Sequence, residues 1–275
     1  MAFDPNITKG TELTNEEICT IFGCSLYGGM NRSLKTNTLV LISNRVKSLY
    51  QDRIDGDVIH YTGMGQYGNQ DLNGAQNKTL NESNVNGVSV HLFEVIEQSK
   101  YIYVGAVKLA DNAYQETQLD TEGKDRLVWM FPLQLVDSSK FVPVELEKVK
   151  ALDADRERAA SKLSPEDLLL KAKQAVKNPG SRQATVKQYQ RNEYVAEEAK
   201  RRANGICQLC LLPAPFTNKN KKPYLEVHHI VWLAREGNDS LENTVALCPN
   251  CHRKMHVLDD DIDKESLALR VTLLS

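Results

Sequence analysis

The chain has 275 residues, an apolar fraction of 41% and a formal net charge of -2 at pH 7. The length suggests two domains, and the lack of a long apolar run excludes a membrane-spanning protein, while the apolar content excludes a disordered one. A nearly neutral chain has no broad positive field, so any contact with nucleic-acid phosphates must come from local basic patches.

The first predicted element is a helix in the sequence TNEEICTIFG. Thr14 can cap its first turn, and Glu17 follows three residues later, which is the spacing of a capping box. Cys19 and Cys24 are separated by four residues and have no histidine near them. They are therefore expected to be small buried side chains.

Residues 36 to about 135 consist of short β-rich runs separated by loops rich in Gly, Asn and Asp. The runs are NTLVLIS, DVIHYTG, GVSVHLFEV, KYIYVGAVKL and RLVWMFPL, and the most prominent loop is GMGQYGNQDLNGAQN. Their composition is typical of strands and connecting turns. Several strands with no strong helix between them predict an antiparallel or barrel-like domain with a concave face.

Residues 56–65 spell GD-x-I-x-YTG-x-G, and GGMNRS and QNKTLNES stand ahead of two of the β-rich runs. This sequence pattern resembles that of the SRA (SET- and RING-associated) family, which binds DNA carrying a 5-modified cytosine and swings that base out of the duplex. Extruding a base costs a few kcal/mol, which stacking and hydrogen bonds in a pocket can offset. The resemblance implies an SRA-like β-barrel domain at residues 1–143.

Four residues of this region are candidates for contact with an extruded base. Tyr61 and Tyr67 are the candidate stacking rings, and Asp71 is a candidate acceptor for a cytosine amino group. Gly63 would let the backbone approach the base closely. The alternative for Tyr61 is a half-buried packing residue at the end of a strand.

Residues 144–203 are predicted to form a helical, basic linker. Ser164 and Pro165 open one of its helices as a cap and a first-turn proline. Residues 171–202 contain nine basic residues against three glutamates, and the basic ones are Lys171, Lys173, Lys177, Arg182, Lys187, Arg191, Lys200, Arg201 and Arg202. Such a run of charges forms either a solvent-exposed face or a surface that contacts DNA phosphates, and the sequence favours neither alternative.

Residues 205–256 contain four of the six cysteines and four of the six histidines of the chain. The cysteines form two C-x2-C pairs, Cys207 with Cys210 and Cys248 with Cys251. Two such pairs separated by a few tens of residues predict one structural zinc ion with four thiolate ligands. Disulfides are the weaker alternative, because the N-terminus does not resemble a secretory signal.

The histidines require a second ion, because a zinc bound by four cysteines has no open position. If CPNCHRKMH opens a helix, His252 and His256 lie one turn apart on the same face. His228 and His229 lie in YLEVHHIV, a predicted strand, so their side chains point in opposite directions and can serve different purposes. Asn243 lies on the return path to the helix, where an amide could fix the tautomer of an imidazole.

These histidines, Asn243 and the second cysteine pair occur as EVHHI, then Asn243, then LCPNCH and a final His256. This order resembles the HNH, or ββα-metal, nuclease motif, and the cysteine-bounded version is most similar to McrA-type restriction endonucleases. The resemblance implies that His229 is the general base and that Asn243 orients it. It also implies that a divalent cation, Mg²⁺ or Mn²⁺, is bound by His228, His252 and His256.

Together the resemblances imply an α+β protein with an SRA-like reader at 1–143, a linker at 144–203 and a zinc-stabilised HNH domain at 204–275. Such a protein is expected to be a cytoplasmic type IV restriction endonuclease that binds double-stranded DNA with 5-methylcytosine or 5-hydroxymethylcytosine. Cleavage of both strands would require a homodimer. The alternatives are a nuclease whose front domain reads phosphorothioate linkages or a plain sequence, and a non-catalytic reader of modified DNA.

Overall fold

The computed structural model describes residues 3–46, 52–137, 139–173, 181, 183–186, 188–189 and 191–274. The chain divides into two compact units, Met1–Val186 and Lys187–Ser275. The first is built on a large sheet, and the second on a two-stranded sheet with helices against it. None of the helices in the described part of the chain is both long and apolar enough to cross a membrane.

The first unit contains a sheet of nine strands in the described residues. They are β1 (Glu12–Leu13), β2 (Met30–Ser33), β3 (Thr38–Asn44), β4 (Arg53–Asp55), β5 (Val58–Thr62), β6 (Ser89–Glu97), β7 (Lys100–Leu109), β8 (Tyr114–Leu119) and β9 (Asp125–Leu135). The main path runs β2-β3-β6-β7-β9-β5-β4, with β1 beside β7 and β8 beside β9. Only β3 and β6 pair in parallel among these strands. The five predicted β-rich runs correspond to β3, β5, β6, β7 and β9.

Among the described residues the sheet does not close into the β-barrel that the SRA resemblance implies. Its end strands, β2 and β4, are not paired with each other in the described residues. A side chain links distant strands instead, because the hydroxyl of Tyr61 in β5 donates to the carbonyls of Gly29 (2.6 Å) and Ile42 in β3 (3.3 Å). Three strands separate β3 from β5 along the path. The sheet is therefore curved enough for one tyrosine to join them.

Two helices lie close to this sheet, α1 (Asn15–Phe22) and α2 (Ala75–Asn81). The predicted capping box of α1 is present, since the Thr14 hydroxyl accepts from the backbone N of Glu17 and the Glu17 carboxylate accepts from that of Thr14. Ile18 and Phe22 are buried on one face of the sheet. Helix α2 begins inside the stretch that the sequence predicted to be a loop.

The residues predicted as a linker are shared between the two units. Helices α3 (Leu146–Ala160) and α4 (Pro165–Lys173) belong to the first unit, as do β10 (Val144–Glu145) and β11 (Ala184–Thr185), which pair in parallel. Leu152 of α3 is buried in a small cluster with Ile96 of β6. The predicted basic residues Lys177, Arg182 and Lys187 lie outside the described residues.

The second unit follows a ββα order. Its elements are α5 (Glu193–Ala203), β12 (Glu226–His229), a 3-10 helix (Leu233–Arg235), β13 (Thr244–Leu247), α6 (Pro249–Leu258) and α7 (Asp261–Leu274). Strands β12 and β13 pair antiparallel with His229 opposite Thr244. Val245 and Leu247 of β13, Met255 of α6 and Leu267 of α7 share one core. This core holds β12 and α6 beside each other.

Candidate metal centre

The four cysteines of the second unit meet at the start of α6. Cys207 and Cys210 follow α5, Cys248 is the N-cap residue of α6, and Cys251 lies in its first turn. Their Sγ atoms all lie within 4.8 Å of one another, and those of Cys210 and Cys248 are 4.0 Å apart. Tetrahedral zinc with Zn–S bonds of about 2.3 Å holds its sulfurs about 3.8 Å apart. The predicted ligand set for zinc is therefore assembled.

The thiol pKa values show why this cluster fits a cation. Burial opposes ionisation of Cys207, but the backbone N–H groups of Cys248 and Cys210 outweigh it and lower the pKa of Cys207 to about 7. Burial, and then the thiols of Cys248 and Cys210, raise the pKa of Cys251. Four thiolates this close can all ionise only if a cation offsets their repulsion.

Three histidines from β12 and α6 form a second cluster. One ring nitrogen from each of His228, His252 and His256 lies within 4.8 Å of the other two, and the Nε2 atoms of His252 and His256 are 3.1 Å apart. Nitrogens bound to one ion at about 2.0–2.1 Å in a tetrahedral arrangement lie about 3.4 Å apart. The helical spacing thus brings two imidazoles together, and the strand supplies the third.

The environment of His228 also fits a cation. Its side chain is buried, and its Nε2 has no hydrogen-bond partner among the described residues. Burial, followed by the charges of His252 and His256, lowers the pKa of His228 to about 3. The neutral imidazole is the form that binds metal ions. Nε2 of His228 is therefore both buried and in the form that can bind a cation.

Glu226 of β12 forms a hydrogen bond with His252 of this cluster. Its Oε2 lies 2.5 Å from Nδ1 of His252, and its Oε1 accepts a hydrogen bond from the hydroxyl of Tyr224 at 3.1 Å. A carboxylate fixes the proton on Nδ1 and leaves Nε2 of the same ring free to bind an ion. Glu226 therefore sets the tautomer of His252 that a metal requires.

The predicted general base, His229, is held by Asp239. Nε2 of His229 lies 2.9 Å from Oδ1 of Asp239, and this hydrogen bond is the main cause that lowers the pKa of Asp239. An ionised carboxylate only accepts hydrogen bonds, so Nε2 of His229 carries a proton. Nδ1 is then the nitrogen that can accept another proton.

Asn243 does not contact the ring of His229, in contrast to its predicted role. Its Oδ1 accepts from the backbone N of Val231 (2.8 Å), and its Nδ2 donates to the carbonyls of Val231 (2.9 Å) and Asn238 (2.7 Å). The amide thus braces the loop after β12. Because Asn238 precedes Asp239, Asn243 affects His229 through the loop that carries Asp239.

The four histidines line one cleft of about 160 Å³. Tyr189, Arg191 and Trp232 line its wall as well. The Trp232 ring is centred 5.1 Å from the ring of His256, and the guanidinium carbon of Arg235 lies 4.2 Å above that indole. The cleft therefore combines candidate metal ligands, a candidate base, an aromatic wall and the positive charge of Arg191.

Two of the predicted base-binding residues are part of the core of the first unit. Tyr61 is 2% exposed, so its ring is not available for stacking on a base in this conformation. Gly63 is approached by the side chains of Gln70, Asn77 and Phe131, which would lie 2.8, 2.9 and 3.1 Å from an added Cβ. A larger residue at position 63 would clash with these side chains, so the glycine is required for packing within the unit.

The other two predicted residues lie at the surface. Tyr67 is 65% exposed, and its ring is therefore accessible to a base. Asp71 is exposed, and one of its carboxylate oxygens accepts from the backbone N of Asn73 at 2.9 Å. The structure does not bring Asp71 to Tyr61, since one is at the surface and the other is in the core.

Asp52 is a carboxylate of this unit that the sequence pattern did not single out. It accepts hydrogen bonds from the backbone N of Thr62 (2.7 Å) and from the hydroxyl of Ser43 (2.8 Å), so it joins β5 to β3. Burial raises the pKa of this carboxyl despite both hydrogen bonds. Asp52 is half-buried beside the strand that carries Tyr61.

Comparison with protein families assigns a domain to each unit. The family model described as "ScoMcrA-like, SRA domain" matches residues 9–157, more than half of the chain. The chain belongs to this family. A second model, described as HNH endonuclease, matches residues 207–257. The predicted α+β order of an SRA-like domain followed by an HNH domain is thereby confirmed, as is the nuclease class.

Individual relatives cover the chain to different extents. The "Type IV methyl-directed restriction enzyme EcoKMcrA" of Escherichia coli (strain K12) is 46% identical over 70 residues, 26% of this chain and 25% of the relative. The structure of the Type IV phosphorothioation-dependent restriction endonuclease ScoMcrA is 20% identical with a TM-score of 0.42, covering 98% of this chain and 63% of that chain. The chain thus spans a quarter of EcoKMcrA and under two thirds of ScoMcrA.

Two further solved structures show a similar degree of likeness. The modification dependent TagI restriction endonuclease is 20% identical with a TM-score of 0.36, and the match covers 92% of this chain and 79% of that chain. The SRA domain of SUVH5 in complex with methylated CHH DNA is 21% identical with a TM-score of 0.40, and it covers 52% of this chain and 98% of that chain.

The sequence analysis missed Glu226 and Asp239, the two carboxylates that hydrogen-bond to the imidazoles, and it named Arg191 only as part of a basic run. Glu226 lies two residues before His228, and alternate residues of a strand share a face, so the spacing could have identified it. Asp239 and Arg191 come from segments outside β12 and α6. No spacing rule relates these two residues to the histidines.

Replacing Glu226 with Ala is expected to weaken Mn²⁺ binding about 10- to 100-fold, because His252 loses the carboxylate that fixes its tautomer. Glu226→Gln, which keeps an acceptor oxygen but no charge, should lie between Ala and the unchanged protein. The measurement is Mn²⁺ titration followed by electron paramagnetic resonance. Glu265→Ala, an exposed site on α7, serves as the control. Unaltered Mn²⁺ affinity in Glu226→Ala would show that the carboxylate does not support the site.

Proposed function

We propose that this protein is a type IV restriction endonuclease that hydrolyses DNA in response to a modified cytosine. The observation that carries the proposal is one cleft in which three imidazoles converge beside a fourth that a carboxylate orients. A phosphodiester is hydrolysed when a base activates water and a cation neutralises the charge on the phosphoryl and departing oxygens. The cleft contains side chains suited to both tasks.

His229 would take the proton from the attacking water through Nδ1. Asp239 would keep Nε2 protonated and stabilise the imidazolium that forms, which is the role of a carboxylate behind a catalytic histidine. Asn243 would maintain the loop that carries Asp239. These three residues together would make the base both available and correctly oriented.

His228, His252 and His256 would hold the catalytic divalent cation, with Glu226 orienting His252. The bound cation would supply the Lewis acidity that neutralises the departing oxygen. An all-imidazole set favours Mn²⁺ over Mg²⁺, because Mg²⁺ prefers oxygen ligands. The zinc held by the four cysteines would have no open position and would be structural.

The first unit would make cleavage depend on modification. We assign it the recognition of 5-methylcytosine or 5-hydroxymethylcytosine, with phosphorothioate linkages or a plain sequence as the alternatives. Tyr67 remains the candidate stacking ring because it is exposed. Asp52 replaces Asp71 as the candidate acceptor, because Asp52 is half-buried while Asp71 is exposed, and a hydrogen bond to a base edge is stronger where water is partly excluded.

Cleavage of both strands would require two nuclease sites, so we propose a homodimer on double-stranded DNA. A cytoplasmic location would follow from the same role, since incoming foreign DNA is met there. Unmodified host DNA would be spared by the reader. No partner methyltransferase would then be needed.

The assay that tests the proposal compares plasmids carrying 5-methylcytosine, 5-hydroxymethylcytosine, phosphorothioate linkages or no modification, each incubated with Mn²⁺. We expect cleavage of the cytosine-modified plasmids only. Equal cutting of all four would remove the modification dependence and leave the nuclease. Cutting of the phosphorothioate plasmid alone would assign the other chemistry to the reader. Binding of modified plasmid with no cutting would identify a non-catalytic reader.

The same assay on His229→Ala is expected to show cleavage reduced by at least about 10²-fold, because general-base catalysis contributes about 10²–10⁴-fold. Zinc content and binding to the modified duplex should persist in this variant. Full cleavage activity in His229→Ala would refute its role as the base.

Asp52→Asn tests the reader separately. We expect this variant to lose most of its preference for modified over unmodified duplex, measured by fluorescence anisotropy, because an amide cannot replace both acceptor oxygens. Asp71→Asn, which removes an exposed carboxylate, should keep the preference and serves as the control. A thermal melt checks that Asp52→Asn remains folded. An unchanged preference in a folded Asp52→Asn would exclude this carboxylate from the pocket.

A further inference from the structure

Arg191 is a positive charge in the wall of the cleft that contains the metal ligands. It lines this cleft together with His228, His252 and His256. The side chain is exposed, and it makes no hydrogen bond or ion pair with any residue that the structure describes. A guanidinium has five N–H donors in a planar fork. The donors of Arg191 are therefore available to a ligand in the cleft.

Arg191 lines the same cleft as His228, His252 and His256. A fixed positive charge at this place opposes the binding of a divalent cation to these imidazoles. Asp239 offsets part of this repulsion, but its Oδ1 already bonds to His229. Glu226, beside His252, is a second negative charge near the imidazoles. Arg191 therefore weakens the attraction of the cleft for a cation without abolishing it.

The backbone beside Arg191 is fixed relative to the candidate base. Oδ2 of Asp239 accepts from the backbone N of Asn192 at 2.5 Å, while Oδ1 of the same carboxylate holds His229. Asn192 in turn caps α5, because its Oδ1 accepts from the backbone N of Tyr194 at 2.9 Å. The carboxylate of Asp239 therefore links the segment that carries Arg191 to His229, the candidate base.

We infer that Arg191 binds the scissile phosphate of the DNA in this cleft, beside the divalent cation; this inference rests on the proposed nuclease function. A phosphodiester carries a negative charge that offsets that of Arg191, and the guanidinium fork matches two of its oxygens. Metal and DNA then bind cooperatively, since each offsets the charge that weakens the other. Substrate DNA would therefore raise the affinity of the cleft for the cation.

Arg191→Gln tests this assignment through two independent measurements. In the DNA-free protein the variant should bind Mn²⁺ several-fold more tightly, because a repulsive charge is gone, and electron paramagnetic resonance measures this. With modified plasmid as substrate its kcat should fall about 10²-fold, the typical loss on removing one donor to a developing charge. A residue with a merely structural role would not strengthen Mn²⁺ binding while lowering kcat.

Arg201→Gln is the matched control, because it removes the same charge from an arginine of α5 that pairs with Glu197. It should change neither measurement. Arg191→Lys keeps the charge and loses the planar fork of donors, so it should bind Mn²⁺ as the unchanged protein does and recover only part of kcat.

Mn²⁺ binding by Arg191→Gln that is unchanged or weaker would overturn the inference, as would an unchanged kcat. If the unchanged protein cleaves no plasmid, the proposed function fails, and the Mn²⁺ titration still decides whether Arg191 opposes the cation.

Discussion

The chemistry proposed for the second unit depends on one short helix that carries candidate ligands for two different ions. Cys248 and Cys251 at the start of α6 belong to the sulfur cluster, whereas His252 and His256 line the cleft. Adjacent residues of a helix are rotated by about 100°, so Cys251 and His252 address different sites. Soft thiolates select zinc, while imidazoles accept a wider range of ions. A zinc-fixed helix would therefore keep two imidazoles in place for the second ion.

The carboxylates of Glu226 and Asp239 fix different tautomers of the imidazoles to which they hydrogen-bond. Glu226 places the proton of His252 on Nδ1, which leaves Nε2 for a metal ion. Asp239 places the proton of His229 on Nε2, which leaves Nδ1 for a proton from water. Two chemically identical side chains would thus serve as a metal ligand and as a base because their hydrogen-bond partners differ. Asp239 also reaches Asn192, so the segment with Arg191 is part of the same arrangement.

The features that the sequence predicted correctly depend on local spacing. Two C-x2-C pairs and the four-residue spacing of His252 and His256 follow from helix and zinc-knuckle geometry, and the alternating runs gave five strands of the large sheet. Features that depend on distant contacts were missed. The orientation of His229 is set by Asp239, which lies ten residues away across an irregular loop. Tyr61 was assigned to a strand correctly, but only the curvature of the sheet buries its ring and turns its hydroxyl toward Gly29 and Ile42.

Two different ions would be held within one small domain, one by sulfur ligands and one by imidazoles. Anomalous diffraction at the manganese and zinc edges, from crystals of the protein soaked with Mn²⁺, can locate both ions. We expect a zinc peak among the sulfurs of the four cysteines and a separate manganese peak within bonding distance of His228, His252 and His256. A manganese peak that is missing from the three imidazoles, with the zinc peak present, would contradict this expectation.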